Sequence, residues 1–546
     1  MKMKTSQNEL VEILKRYSSS IDIFSENNPH LTPAILSDTE KLNDPETDRL
    51  DECFAFMMAQ SNINFFKSLK HYSYHDISKM MPEWFEPSVS STILRANIEE
   101  WDVKDFYKFK EQTHFNYYEK KFGNKEIIFS NEFPVEIQPA TVSESYFSFC
   151  QNELCLKFKI KSFVNNYKLE RLNFFLDYSK FSSFYKVLDE IFNNKFPIKI
   201  QYRQKEMNLE KNSGNLYYYF QEVFDLSIFK ESNVTYFLYQ FINYLNSYSI
   251  FTINFKSLNI ELNKGEEIIV TLQLSNNLSN LTKFSNFVYT NCFVVKNRNI
   301  LRGDPIYLKK NQTPYITLDR GSKKNFINIH KIQFFDLEHN DIILEQGKDY
   351  KIYKKYLTSK KGLDIIYYLK ILIPLQKDII ILPFFNHSNL TEAHYLKNGS
   401  FLKLKRNQKL IFENLTVPTK AVFYLNYFNN IKFFQNIMLL NSYISRENLN
   451  LNDVMLVFIY FSNISINYKG IMSKIISQIK ILDEKNEKEH FYTPYGAFHH
   501  KRYTSIIEVN RQNSDLGGIS LLKNYLEFLF NNTSKINTKF KIVIKE

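Results

Sequence analysis

The stretch from Tyr503 to Glu546 constrains the fold most. It runs through an alternating pattern (YTSIIEV), a glycine pair at Gly517-Gly518, a helical pattern (LLKNYLEFLF) and a second alternating run (KFKIVIKE). Two adjacent glycines permit backbone angles closed to other residues, so the pair predicts a sharp strand-to-helix turn. The pair stands out because glycine is scarce, with 12 in 546 residues, against a usual share of about 7%. The scarcity also argues against a phosphate cradle, which needs several glycines close together, and no G-x-G-x-x-G or G-x-x-x-x-G-K pattern occurs. An anion site at the helix start is the other use of such a pair. A turn needing positive φ explains it better.

The chain is too long for one core and predicts an α+β, multidomain architecture. Residues 1–90 form a helical N-terminal region. Leu10, Ile13, Leu14 and Tyr17 make one helical stripe. Asp44 caps a second helix, Pro45 suits its first position, and its inner face is Leu50, Cys53, Phe54, Met57 and Met58. Phe65, Phe66 and Leu69 continue the pattern, and Met81-Pro82 ends it. Residues 91–260 are mixed α/β. Strands fall at Thr92–Ile98, Glu126–Ser130, Val135–Val142, Leu154–Phe163 and Leu169–Asp177, and helices at Phe181–Phe192 and Val234–Leu245. Residues 261–400 form a β-rich middle of short strands, sandwich- or barrel-like. Residues 401–546 are mixed, with a helix near Phe433–Leu440, an apolar strand at Val454–Phe461 and the closing strand-helix-strand.

The same residues exclude several functions. A net charge of +12 suits an acidic or nucleic-acid partner, but the lysines are scattered, arginine is the minority, and the longest basic runs are pairs such as Lys323-Lys324 and Lys354-Lys355. A nucleic-acid binder concentrates these groups, so a solvated lysine excess is the better account. His490, His499 and His500 are close in sequence, but adjacent His499 and His500 point apart on a helix or strand, so no metal site is expected. Cys53, Cys150, Cys155 and Cys292 lack a C-x-x-C pair and are expected to be reduced. No G-x-S-x-G elbow or carboxylate pair marks a catalytic centre, so no enzyme activity, catalytic residue or cofactor is expected. Arg302-Gly303-Asp304 is a chance tripeptide, and Gly303-Asp304-Pro305 reads as a turn before a strand at Ile306–Leu308. The start lacks an apolar leader, and no apolar run approaches the ~20 residues that cross a bilayer. The aromatic runs Leu216–Phe220 and Tyr236–Tyr244 fit equally a permanent interface and an internal junction.

The order of several short motifs resembles one family. Asp44-Pro45, Arg49-Leu50 and Phe54-Ala55-Phe56 match the DP-x-x-x-RL-x-x-x-FAF segment of the TssF (VasA/ImpG) subunits of type VI secretion baseplates. Phe85 and Pro87, Phe133-Pro134-Val135 with Ile137, Pro139 and Val142, Asn291-Cys292, Asp304-Pro305-Ile306, and the Gly517-Gly518 close follow in family order. Two departures occur: the NRDLP-like piece is only loosely matched at Asn386–Thr391, and Thr538-Lys539 stands where Ser-Phe is usual. The resemblance implies a non-enzymatic wedge subunit, two copies of which join one TssG-like subunit, with TssK- and TssE-like subunits, around a VgrG-like spike. It further implies a cytoplasmic baseplate docked at the inner-membrane complex, with no nucleic-acid partner and no direct membrane insertion. A phage-like or extracellular contractile injection particle would use a related wedge protein. A basic nucleic-acid-binding protein is the competing class. The sequence leaves the partner-binding residues open.

Overall fold

The computed structural model describes most of residues 84–545, apart chiefly from 178–183, 224–233, 318–325, 405–409, 423–435, 440–450, 465–470 and 510–516, together with Cys53, Phe54, Phe56, Met57 and Met58. The chain divides into one unit of Met1–Pro82 with Lys354–Leu357 and a second of Glu83–Tyr353 with Thr358–Glu546. The expected stripe at Leu10–Tyr17, the Asp44 cap, Leu50, Phe65–Leu69 and the Met81-Pro82 stop lie outside the described residues, as does most of the helix expected near Phe433–Leu440.

The second unit contains a closed barrel. Its strands follow the order Ser91–Ala96, Cys292–Lys296, Lys125–Asn131, His114–Glu119, Phe401–Leu404 and Ile411–Asn414, which pairs back with Ser91–Ala96. Closure leaves no unpaired edge. Alternation along each strand turns Leu94, Ala96, Phe115, Ile127, Phe129, Phe293, Val295, Leu402 and Phe412 into one core. Phe115 is central, with its ring 4.8 Å from Phe412 and 5.4 Å from Phe293. Ile93 and Cys292 face the other way and pack with Phe175, Ile250 and Leu415. The barrel is therefore not a contiguous module of the middle third. It gathers strands from three separate stretches of the chain.

Beside it lie a five-stranded sheet (Lys205–Leu209, Ile198–Tyr202, Glu267–Gln273, Glu153–Ser162, Ala140–Cys150) and a four-stranded one (Leu216–Tyr218, Phe251–Asn254, Arg171–Leu176, Val288–Thr290). The alternation in Glu153–Ser162 does what its pattern predicts: Leu154, Leu156, Phe158 and Ile160 are buried, and Phe158 meets Phe174 of the other sheet at 5.0 Å. The helix Phe184–Asn193 buries the predicted face of Phe184, Val187, Leu188 and Ile191. In the middle third, Ile379–His387 pairs with Phe326–Asp336 on one side and with both Asn299–Arg302 and Ile306–Leu308 on the other. The strand expected at Ile306–Leu308 is present, and Gly303-Asp304-Pro305 before it is a break between two strands that share one partner. A Cβ on Gly303 would lie 2.4 Å from the Phe385 ring, so close approach demands glycine there.

The C-terminal part corrects one expectation. Leu451–Ile464 is a helix, where an apolar strand at Val454–Phe461 was expected. Short apolar runs do not distinguish the two by periodicity alone. Here Leu451, Met455, Val457, Phe458 and Phe461 are all buried and Leu456 is the exposed large side chain, so little polar punctuation marks the helical period. The predicted closing order is present: the hairpin Ile479–Thr493 and Gly496–Val509, the helix Ile519–Thr533, and Thr538–Lys545 in parallel with Gly496–Val509. Leu456 and Phe458 would share a face in a strand but sit on opposite sides of a helix. Leu456→Lys is therefore expected to change stability by less than about 0.5 kcal/mol, and Phe458→Ala to cost about 3–5 kcal/mol, as measured by denaturant unfolding.

Candidate functional site

Among the described residues no three His, Cys, Asp or Glu side chains converge to hold a metal ion. Strand register brings His490 opposite His499 and Glu489 opposite His500 in the long hairpin. The juxtaposition of His490 with His499 was invisible in the sequence, because hairpin register decides it.

The most strongly built polar site is the seat of the C-terminal helix. Asp189, on the polar side of Phe184–Asn193, accepts hydrogen bonds from the backbone N–H groups of Gly518 (2.7 Å), Ile519 (3.1 Å) and Ser520 (2.8 Å). It also accepts from the Ser520 hydroxyl (2.6 Å). These are donors that a helix start leaves without internal partners. Burial pushes the Asp189 carboxyl up, and the four donors offset that only in part. Gly517 and Gly518 have φ of +68° and +93°. A Cβ on Gly517 would lie 2.5 Å from the Lys186 backbone nitrogen, so the predicted turn needs glycine for conformation and for space. One turn further on, the Tyr525 ring stacks on Phe241 at 3.8 Å. It also meets Tyr248 (5.6 Å) and Phe458 (6.1 Å). Glu527 then accepts from the Ile542 N–H of the last strand at 2.7 Å. Nothing here is arranged for bond-making chemistry. The arrangement holds three distant segments together.

A second buried polar cluster joins the barrel to the helix Val234–Asn243. The Lys296 ammonium pairs with Glu132, donates to Gln240 Oε1 at 2.8 Å and lies 4.4 Å from the centre of the Tyr244 ring. Burial pushes Lys296 down to about 8, against the opposing pull of Glu132. These groups border a cavity of about 60 Å³ that Phe133, Val135, Phe220 and Phe293 also line. A neighbouring cleft of about 350 Å³ carries Lys108, Glu136, Arg171 and Asn291.

The aromatic runs resolve as internal junctions. Leu216, Tyr218, Phe220, Leu238, Tyr239, Phe241, Ile242 and Tyr244 are all buried. The opposite holds in the first unit. Cys53, Phe54, Phe56, Met57 and Met58 are helical, but they are exposed rather than forming the expected inner face. Phe54 and Met57 are 51% and 61% exposed. Phe54, Met57 and Met58 fall at helical spacing, and Phe56 beside them is exposed as well. No helix among the described residues is long and apolar enough to cross a membrane.

This architecture recurs in a known assembly. The fold matches a chain of a cryo-electron microscopy structure of the type VI secretion system TssK-TssF-TssG baseplate subcomplex, with a TM-score of 0.65 and 10% identity, over 91% of this chain and 96% of that one. A chain of a baseplate complex from the type VI secretion system aligns over 99% of this chain and 96% of that one at 13% identity, with a TM-score of 0.48. No curated protein matches the sequence significantly. At this identity the likeness to the first of these chains is one of fold. The family model described as type VI secretion system, TssF matches residues 7–216 of this chain, which bears out the resemblance carried by Asp44-Pro45, Phe54-Ala55-Phe56 and Phe133-Pro134-Val135.

Two expectations follow from the buried sites. Asp189→Ala strands three backbone donors and should cost about 2–4 kcal/mol, with Asp189→Asn losing less, by denaturant unfolding. For Lys296, the folded chain releases its proton near 8, whereas the unfolded chain keeps it to about 10.4. Stability from this group therefore rises with pH through that window, the burial penalty being fully present below it. Lys211, also pushed down to about 8 by burial, adds a slope of the same sign. Lys296→Met should accordingly flatten, but not abolish, the rise in unfolding free energy between these pH values, by about 1–3 kcal/mol.

Proposed function

We propose that this chain is a structural wedge component of a type VI secretion baseplate, acting through interfaces and not through catalysis. The observation that carries the reading is the TssF family match over residues 7–216. The fold shared with a chain of the TssK-TssF-TssG subcomplex supports it. TssG- and TssK-like subunits are the partners this reading names first. A second copy of the chain, a TssE-like subunit and a VgrG-like spike complete the wedge around which tube and sheath assemble. The assembly belongs in the cytoplasm, docked at an inner-membrane complex.

The exposed stripe of Phe54, Met57 and Met58 supports the reading from the physical side. Solvent-facing aromatic and Met side chains at helical spacing are costly to leave in water and are enriched at protein interfaces. A wedge reading assigns this stripe to a neighbouring subunit. Native mass spectrometry after co-expression with the cognate TssG-like subunit should show two copies of this chain with one partner. Phe54→Asp combined with Met57→Asp should lower the yield of that complex at least tenfold while the lone chain stays folded. A chain that remains a monomer beside that partner, or a strain that assembles sheaths normally without this chain, would overturn the assignment.

A further inference from the structure

Two short motifs from distant parts of the chain, Phe133-Pro134-Val135 and Asn291-Cys292, line the cleft of about 350 Å³. The ribbon in which Tyr107–Phe109 pairs with Val135–Ile137 supplies Lys108, Phe109, Val135 and Glu136, and the strand Arg171–Leu176 supplies Arg171 and Asn173. Asn291 fixes the end of the ribbon. Its backbone is left-handed, with φ of +55°. Its side-chain oxygen accepts from the Gln138 N–H at 2.9 Å, and its NH2 donates to the carbonyls of Gln138 (3.0 Å) and Ala140 (2.9 Å). The lining is therefore set before any ligand arrives.

The polar groups of the cleft are mostly donors. Gln138 Oε1 accepts from the Tyr167 hydroxyl at 3.1 Å, and Asn173 Oδ1 accepts from the Thr252 hydroxyl at 2.9 Å. Each amide spends its oxygen on the protein and keeps its NH2 for the cleft. The Lys108 side chain is 65% exposed, with its ammonium 3.8 Å from Glu136, too far for a hydrogen bond. The exposed Arg171 is a second cation, which can only donate. Among the described lining residues Glu136 is the single acid. The rest of the lining is largely apolar, with Phe133 half-buried and Pro134 exposed beside Val135 and Ile137.

We propose that this cleft binds an extended acidic segment of a partner protein. A carboxylate of the segment meets Lys108, Arg171 and the amide NH2 groups of Gln138 and Asn173, while a neighbouring apolar side chain packs on Phe133 and Pro134. A donor-rich site selects an acceptor-rich ligand, and bonds from Arg and Lys to a carboxylate are the strong ones. A doubly charged phosphate suits the cleft less well, because it faces Glu136 and leaves the apolar half of the lining without a contact. A small free carboxylate covers only the polar half. A peptide covers both. The volume lies at the lower end of the ~300–1,000 Å³ usual for ligand sites, which admits a short segment and not a folded domain.

The test titrates the full chain into a fluorescein-labelled peptide, Ser-Glu-Leu-Glu-Val-Glu-Ser, and reads anisotropy, with the same peptide carrying Lys in place of Glu as the counterpart. The acidic peptide alone should bind saturably, and added salt should weaken it. Lys108→Glu combined with Arg171→Glu should weaken it about tenfold, and so should Gln138→Glu, with circular dichroism unchanged. Gln138→Glu keeps the acceptor for Tyr167 and turns a donor into a like charge. Lys309→Glu combined with Lys310→Glu makes the same change in net charge at exposed positions outside the cleft and should leave the affinity within about twofold at physiological salt. Absence of saturable binding by the acidic peptide, an equal loss in the Lys309 and Lys310 variant, or displacement of the peptide by inorganic phosphate at equal concentration would overturn the proposal.

Discussion

The carboxylate of Asp189 on the exposed N–H groups of Gly518, Ile519 and Ser520 is the contact on which the rest of the structure depends. It joins residues 331 positions apart in the chain. A helix start has unsatisfied donors and a partial positive charge, so a buried carboxylate there is both needed and stabilised. With the helix seated, Tyr525 is brought against Phe241, Tyr248 and Phe458, and Glu527 reaches the last strand. The glycine pair makes the seat possible, because any side chain at Gly517 would meet the backbone of the helix that carries Asp189.

Local periodicity was legible where the surroundings are two-sided. The alternation of Leu154, Leu156, Phe158 and Ile160 and the helical face of Phe184, Val187, Leu188 and Ile191 appear in the structure as written, since each element buries one side and leaves the other toward water. The method failed at Leu451–Ile464 for the complementary reason. The exposed side of that helix carries Leu456, an apolar residue, so no polar stripe marks the helical period and the composition resembles a core strand. The barrel was illegible on other grounds. Its closure depends on Leu94 pairing with both Phe293 and Asn414, and no local pattern encodes a partner hundreds of residues away.

The same limit applied to the sites. Asp189 is one acid among the polar positions of an amphipathic helix and looks like any solvated carboxylate. Only the arrival of Ser520 distinguishes it. Lys296 ends an apolar strand, where a lysine ordinarily reaches solvent, yet Glu132 and Gln240 enclose it. Gln138 and Asn173 are ordinary strand-flanking amides in the sequence and acquire meaning only where the fold sets them around one cleft.

The distribution of aromatic residues shows how distant segments of the chain are joined. A chain this rich in Phe and Tyr could have spread them over its surface. Instead Trp84, Phe115, Tyr218, Phe241 and Tyr525 lie fully buried, most of them where segments far apart in sequence meet. Large rings fix such junctions well, because each buries much area with few rotatable bonds. Other rings, among them Tyr118, Phe149, Tyr307 and Phe401, stay exposed on the second unit. The exposed side chains of Phe54, Met57 and Met58 lie in the first unit, within the span that the TssF model matches.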